Sequence, residues 1–431
     1  MTKSDLRRAA GSLIKRHGIC SLLLVFLFLA SIADATDAPQ AATGNPVSEI
    51  RVLFIGNSFT YFHNMPAVLE AISSSIRGPR VVATMVVSGG ARLKDHWRDA
   101  GPALSAIRKG RWDYVVLQEQ SLLGNVVVVN QHMQIVDPVD FWKYAKLFDE
   151  EIRKVGAKTV ILMTWKDKTD EARSQQALDF AFVKFARSSG AIAAPVSLAW
   201  QRIRDNAPGI NLYLKDDHHP SAEGSYLEAC VLYATLTGQS PDGAISMISG
   251  TAVDEDEGNM LEGKTETLVE IPHEIAKELQ QTAWNTYQEV RAAGGYQAVS
   301  EPPAIVLPTM PNGRRPSPAE LEGVWKGPFH FFPSDAPIEI ELRVSNKGSG
   351  LAAKLHVYYH GAKPDVEVTP SDFHVTDYGI VFTDPKGPNK GTIEFSGAFT
   401  SASLAGVAKT LLRNTDPPIS VWGTWNLTKV K

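Results

Sequence analysis

Cysteine is almost absent from this chain, with Cys20 and Cys230 the only two in 431 residues. If a leader carrying Cys20 is removed, one thiol remains, so an internal disulfide is excluded from the mature chain. No cysteine and histidine cluster has the spacing of a structural zinc site. Cys230 sits in an apolar helical stretch and reads as a small buried hydrophobe. Runs of like charge are missing too, and the formal charge is only -4. Neither nucleic acid nor a charged binding tail has any footing in such a pattern. The glycine-rich phosphate loop with its lysine does not occur. Nor does Gly-x-Ser-x-Gly, which argues against the sharp nucleophile turn of an α/β-hydrolase.

What is present begins with a leader. Arg7, Arg8, Lys15 and Arg16 precede an apolar run from Leu22 to Ala30, and Ala33-Asp34-Ala35 offers a small-x-small cleavage site. This is the layout of a secretory signal peptide over residues 1–35. The alternative, a single membrane anchor, is disfavoured because the apolar core is short for a span. The expected location is therefore secreted or periplasmic, with no stable membrane insertion after cleavage.

A chain of 431 residues exceeds what one core normally supports, so two domains are expected. From Glu49 to about Val290, short apolar strands alternate with helical periodicity. Arg51–Ile55, Val81–Val87, Tyr114–Leu117, Thr159–Thr164 and Ala191–Val196 read as strands. Met65, Leu69, Ile72 and Ile76 mark one of the intervening helices. That alternation implies a parallel sheet covered on both faces, with ligands at the carboxyl ends of its strands. Residues 296–320 are proline-rich and aperiodic, which reads as a stiff linker. Beyond them the period changes to two, as in Ile338, Ile340, Leu342 and Val344, with glycines between runs. Residues 321–431 are thus expected to form an all-β barrel or sandwich. Its similar ends, Gly323-Val-Trp325 and Gly423-Thr-Trp425, suggest that first and last strands lie side by side.

Two constellations carry chemistry. In Phe54-Ile-Gly56-Asn57-Ser58-Phe59-Thr60 a buried strand ends in Gly-Asn and presents a serine before a helix. Gly56 allows a tight turn, and Ser58 is either an exposed hydroxyl nucleophile or, like Thr60, a helix cap. In Asp216-Asp217-His218-His219-Pro220-Ser221 an imidazole has a carboxylate three residues upstream. A serine needs a base to take its proton, and the base needs a carboxylate to fix its tautomer. Pro220 is expected to start a helix here. Metal ligation by His218, His219 and the aspartates is a further reading, disfavoured because adjacent side chains diverge. Trp165, expected at the rim after the fourth strand, and His96-Trp97 and Trp142 are candidates for a sugar-lined cleft. Tryptophans are more often core packing. His63 has no partner at a defined spacing.

The serine block, with Asp-x-x-His-Pro late in the α/β region, resembles the GDSL-like SGNH hydrolase superfamily over roughly residues 50–290. The blocks Phe54 to Thr60 and Leu117-Gln-Glu-Gln-Ser121 are most similar to a bacterial branch of it. The resemblance implies a flavodoxin-like three-layer α/β/α sandwich that hydrolyses esters, often acetyl esters of carbohydrates or lipid esters. It implies Ser58, Asp216 and His219 as catalytic residues and no metal or organic cofactor. It further implies an oxyanion hole from the amides of Ser58 and Gly89 and a carboxamide. The family's Gly-x-Asn-Asp is replaced here by Gln118-Glu119-Gln120-Ser121. Gln120 aligns with the asparagine and Gln118 is its rival, while Glu119 contacts substrate or forms a salt bridge. A small-molecule or glycan ester is the expected partner. A lipid or thioester acyl hydrolase, an acyl transferase and a carbohydrate-binding protein on a hydrolase scaffold remain alternatives at this stage.

Overall fold

A computed structural model describes residues 48–430, apart from 124–125, 170–171, 297–298, 332–336, 349, 359–365, 387–390 and 416–417. The leader read at 1–35 lies outside these residues. The first part of the chain runs β1 (Glu49–Gly56), α1 (Ser58–Tyr61), α2 (Met65–Ser75), β2 (Arg80–Val87), α3 (Leu93–His96), α4 (Pro102–Lys109) and β3 (Tyr114–Leu117). It continues through β4 (Val126–Val129), β5 (His132–Ile135), α5 (Val139–Lys154), β6 (Lys158–Leu162), α6 (Ala172–Ser189) and β7 (Ile192–Ala194). Then come α7 (Val196–Asn206), α8 (Ala222–Thr237), β8 (Met247–Val253), β9 (Met260–Glu270) and α9 (His273–Ala292).

Val52 to Ile55, Val115 to Leu117 and Val160 to Leu162 are fully buried, because their strands are covered on both faces. They form a five-stranded parallel sheet of order β2-β1-β3-β6-β7. Val52 and Phe54 pack with α2, α7, α8 and α9 on one side; Leu53 and Ile55 pack with α4, α5 and α6 on the other. The result is a three-layer α/β/α sandwich. Chain progression reverses at β1, whose neighbours are β2 and β3, so a crevice opens beyond the carboxyl end of β1.

The second part holds α10 (Pro318–Leu321), β10 (Gly323–His330), β11 (Ile338–Asn346), β12 (Leu351–Tyr358), β13 (Val366–Val368), β14 (Ser371–Val375), β15 (Gly379–Asp384), β16 (Ile393–Phe399), β17 (Ser403–Leu412) and β18 (Ile419–Val430). These strands make a curled, mostly antiparallel sheet of order β13-β12-β11-β10-β18-β17-β16-β15-β14. Its first and last strands do pair, Val324 opposite Val430 and Phe329 opposite Trp425. Trp325, Trp425, Phe382 and Phe395 fill its core.

One connection was not expected. The β4–β5 hairpin leaves the α/β layer after β3 and joins the second sheet, with β4 parallel to β18 through Val127–Ser420, Val128–Val421 and Val129–Trp422. Asn130 extends the seam: its N–H donates to Trp422 O at 2.9 Å, and its side-chain oxygen accepts from Thr424 Oγ1 at 3.2 Å. Among the described residues, no helix is long and apolar enough to cross a membrane.

Candidate active site

The serine turn is built on a glycine with no room for a side chain. A Cβ on Gly56 would come within 2.4 Å of Gln118 Oε1 and 2.5 Å of Thr60 Oγ1. That carboxamide oxygen accepts from Asn57 N–H at 2.7 Å and from Thr60 Oγ1 at 3.0 Å, while Gln118 Nε2 donates to Glu119 O at 2.7 Å. The helix cap is neither Ser58 nor Thr60 but Asn57, whose Oδ1 accepts from Phe59 N–H at 3.1 Å. Capping by Asn57 leaves the Ser58 hydroxyl uncommitted to the backbone. His96, buried, donates from Nε2 to Gly56 O at 2.8 Å and fixes the end of β1.

The histidine loop, between α7 and α8, reaches the same place from 161 residues further along the chain. His219 Nε2 lies 3.0 Å from Ser58 Oγ, and its Nδ1 lies 2.6 Å from Asp216 Oδ2. Asp216 Oδ1 also accepts the backbone N–H groups of His218 and His219, each at 3.0 Å. Partial burial opposes ionisation of Asp216, but the hydrogen bonds from His219 and the two amides outweigh it and hold the carboxyl down at about 2. Phe62 stacks flat on the His219 ring at 4.3 Å. Asp217 takes the left-handed conformation (φ 56) that aspartate tolerates. Its carbonyl accepts from Lys168 N–H at 2.8 Å. Pro220 does not start the helix: it bridges to Tyr213, and Ser221 caps α8 by accepting from Gly224 N–H at 3.1 Å.

The remaining candidates separate clearly. A cavity of about 320 Å³ at this end of the sheet is lined by Ser58, Gly89, Gly90, Gln120, Ser121, His218 and His219 among others. Gln118 is 1% exposed and does not line it. Gln120 Oε1 accepts from Leu122 N–H at 2.9 Å, which orients its carboxamide. Glu119 is also turned away from the cavity and buried, accepting Gln120 N–H at 2.8 Å and Leu93 N–H at 3.3 Å. Burial pushes its carboxyl up to about 8 against those two amides.

Trp165 lies inside the core rather than at the rim. It is stacked between Phe59 (4.5 Å) and Trp200 (3.8 Å), with Nε1 donating to His218 O at 3.2 Å. β6 ends at Leu162, so strand alternation no longer governs position 165. Trp97 packs edge-on to Phe148, Trp142 donates to Ala181 O, and His63 meets Ser225 Oγ at 2.9 Å. The rings of His218 and His219 stand 85° apart, each against its own carboxylate, and among the described residues no group of three or more His, Cys, Asp or Glu is placed to hold a metal ion.

Sequence reasoning missed the β8–β9 hairpin, whose tip brings Glu255 and Asp256 into the cavity lining. Tyr61 OH donates to Glu255 O (2.8 Å) and Asp256 O (3.1 Å) and pins that tip. The same tip explains Gly89, where a Cβ would come within 2.1 Å of Asp256 O. The signal in the sequence was Glu257-Gly258-Asn259, a turn-forming run inside a polar stretch.

No family model and no curated protein matches the chain. Several solved structures are similar over part of it. One, from Slackia heliotrinireducens and provisionally described as an SGNH hydrolase, is 27% identical over 44% of this chain and 99% of that one, with a TM-score of 0.35. A DUF4886 family protein from Bacteroides uniformis is 18% identical over 56% of this chain and 95% of that one, with a TM-score of 0.41. A variant of an acetyl-xylooligosaccharide esterase from Geobacillus is 13% identical over 44% of this chain and 94% of that one, with a TM-score of 0.32.

Proposed function

We propose that this chain is a serine ester hydrolase of the SGNH type that works through an acyl-enzyme and removes small acyl groups from a carbohydrate. One observation carries the reading: a serine hydroxyl, an imidazole and a carboxylate stand in line, at 3.0 Å and 2.6 Å, beside a cavity at the carboxyl end of a parallel sheet. Ser58 Oγ attacks the ester carbonyl carbon as His219 Nε2 takes its proton. Asp216, already ionised, accepts from Nδ1–H and stabilises the imidazolium. The oxyanion forms against the amides of Ser58 and Gly89 and the carboxamide of Gln120. The carbon–oxygen bond breaks and the departing alkoxide takes the proton from His219. Water then attacks the acyl-serine with the same base, and the carboxylic acid leaves.

The polar lining favours a short acyl group on a hydroxylated alcohol. Asn57, Gln120, Ser121, Glu255 and Asp256 set polar groups around the cavity, beside the rings of Phe59 and Tyr61. The leader read at 1–35 directs this activity to the cell exterior or periplasm.

The test is covalent labelling with a fluorophosphonate followed by peptide mapping. The label is expected on Ser58, and Ser58→Ala is expected to lower turnover of 4-nitrophenyl acetate by at least about a thousandfold. A label on another serine, or an active Ser58→Ala enzyme, would overturn the reading. Preference for acetyl over longer nitrophenyl esters is the second expectation; activity that rises with chain length would point to lipid instead.

A further inference from the structure

The β8–β9 hairpin has no part in the mechanism above, yet its tip is wedged between the two elements that the mechanism needs. One is α1, with Ser58 as its first residue and Tyr61 as its last. The other is the end of β2, from which Val87 leads to Gly89. Three close approaches form the wedge. Tyr61 OH is shared between Glu255 O at 2.8 Å and Asp256 O at 3.1 Å. A Cβ on Gly89 would come within 2.1 Å of Asp256 O and 3.5 Å of Tyr61 OH. Gly258, left-handed at φ 77, is flanked so tightly that a Cβ would come within 2.5 Å of Tyr61 Cδ1 and 2.8 Å of Val87 Cγ2.

The tip is also stiff and held at a second point. Asp254 Oδ1 accepts from Asp256 N–H at 3.1 Å and Glu257 N–H at 2.8 Å, and Asp254 O accepts from Gly258 N–H at 2.8 Å. Further down the hairpin, Asn64 Nδ2 donates to Thr251 O of β8 at 2.9 Å. Asn64 and His63 both take left-handed backbone, at φ 45 and 52, in the turn after α1. Such a pair of non-glycine residues persists only where its surroundings impose it. Burial, with the carboxylates of Glu257, Asp254, Asp256 and Glu255, pushes the Tyr61 hydroxyl up to about 12, so it stays a donor at neutral pH.

An ester carbonyl needs the Ser58 hydroxyl and the Gly89 amide at one fixed separation, since a displacement of about 1 Å costs roughly a hundredfold in rate. The ladder between β1 and β2 ends at Gly56–Val87, with one more bond from Ser88 N–H to Gly56 O at 3.3 Å. Both residues lie beyond it, where the sheet no longer sets their spacing. Resting on the hydrolase reading, we propose that the hairpin tip is the spacer between them, and that Tyr61 is a positioning residue that acts on the Gly89 amide through Asp256.

The experiment uses the full chain, the variants Tyr61→Phe, Gly258→Ala and Gly89→Ala, and 4-nitrophenyl acetate. Fluorophosphonate titration counts the folded active sites, and rates are taken per site, so loss of fold does not enter them. Tyr61→Phe and Gly258→Ala are expected to lower kcat roughly ten- to a hundredfold, with KM within about twofold of wild type and the pH midpoint of kcat/KM unchanged. Gly89→Ala, whose methyl group drives Asp256 aside, should behave alike. The decisive readout is the double variant. In Tyr61→Phe/Gly89→Ala the freed tip yields to the new methyl group, so the combined loss should be at least about threefold smaller than the product of the single losses.

Wild-type rates per site in both Tyr61→Phe and Gly258→Ala overturn the inference and leave the hydrolase reading intact. So does a raised KM with kcat unchanged, which marks the tip as a substrate contact. Losses that multiply in the double variant overturn it too, since the tip then acts independently of Gly89. A wild type that neither takes the label nor turns over the ester ends both.

Discussion

At the scale of single residues, two glutamines two positions apart have opposite duties. Gln118 is consumed by the serine turn: its carboxamide braces Asn57 and Thr60 and fills the space that Gly56 leaves open. Gln120 lines the cavity with its orientation set by Leu122 N–H. Gln120→Ala is therefore expected to lower kcat by about 10²- to 10³-fold with KM and melting temperature nearly unchanged, the cost of one oxyanion donor. Gln118→Ala should instead lower the melting temperature, because it strands a buried amide and a buried hydroxyl. Steady-state kinetics and thermal melts on both variants decide the matter; a reversed pattern would exchange the roles.

The sequence could not separate the two glutamines, since alternation in an extended segment puts both on one side. β3 ends at Leu117, and beyond it alternation has no force. The same failure misplaced Trp165. Ser58, Asp216 and His219 were legible for a different reason: a hydroxyl, a base and an orienting acid are chemically interdependent, and the serine follows a strand while the other two share one short turn.

At the scale of elements, Glu119 acts as a peg between the loop after β3 and the start of α3, through the amides of Gln120 and Leu93. Because burial raises its carboxyl to about 8, the folded protein holds a proton there that the unfolded chain releases above the ordinary value of 4.5. Stability from this group therefore falls as pH rises from 4.5 to about 8 and is level beyond. The full effect is at most roughly 4 to 5 kcal/mol. Glu119→Gln keeps the shape without the charge. Denaturant melts across that range should show a shallower decline for the variant, and identical slopes would refute the assignment.

The strands of the parallel sheet were visible as apolar runs. The β8–β9 hairpin was not, because β9 is exposed over most of its length and carries Glu262, Lys264 and Glu266 where an alternating apolar face would give a strand away. Its position comes from tertiary pinning by Tyr61, which local sequence does not encode.

At the scale of the whole molecule, the change of hydrophobic period after the proline-rich segment announced a second sheet, and the pairing of its end strands followed from their similar sequences. The seam between the parts was invisible. β4 is four consecutive valines, buried on both faces, and its parallel partner β18 lies almost 300 residues away. A chain truncated after residue 317 would leave that strand with an open edge and Val128, now 1% exposed, in water. Such an edge invites association. The truncated chain is expected to elute as soluble aggregate or precipitate, as measured by size-exclusion chromatography; a monomeric, well-folded truncation would contradict the account.

The hairpin has a further consequence. Only five residues separate Gln120, at the cavity wall, from Val126, the first residue of the strand that β18 holds. The loop that presents the carboxamide is thus anchored at one end in the parallel sheet and at the other in the carboxy-terminal one. A displacement of either sheet draws on that short tether, so the distal sheet is mechanically in series with the candidate site and cannot be exchanged like a cassette without resetting it.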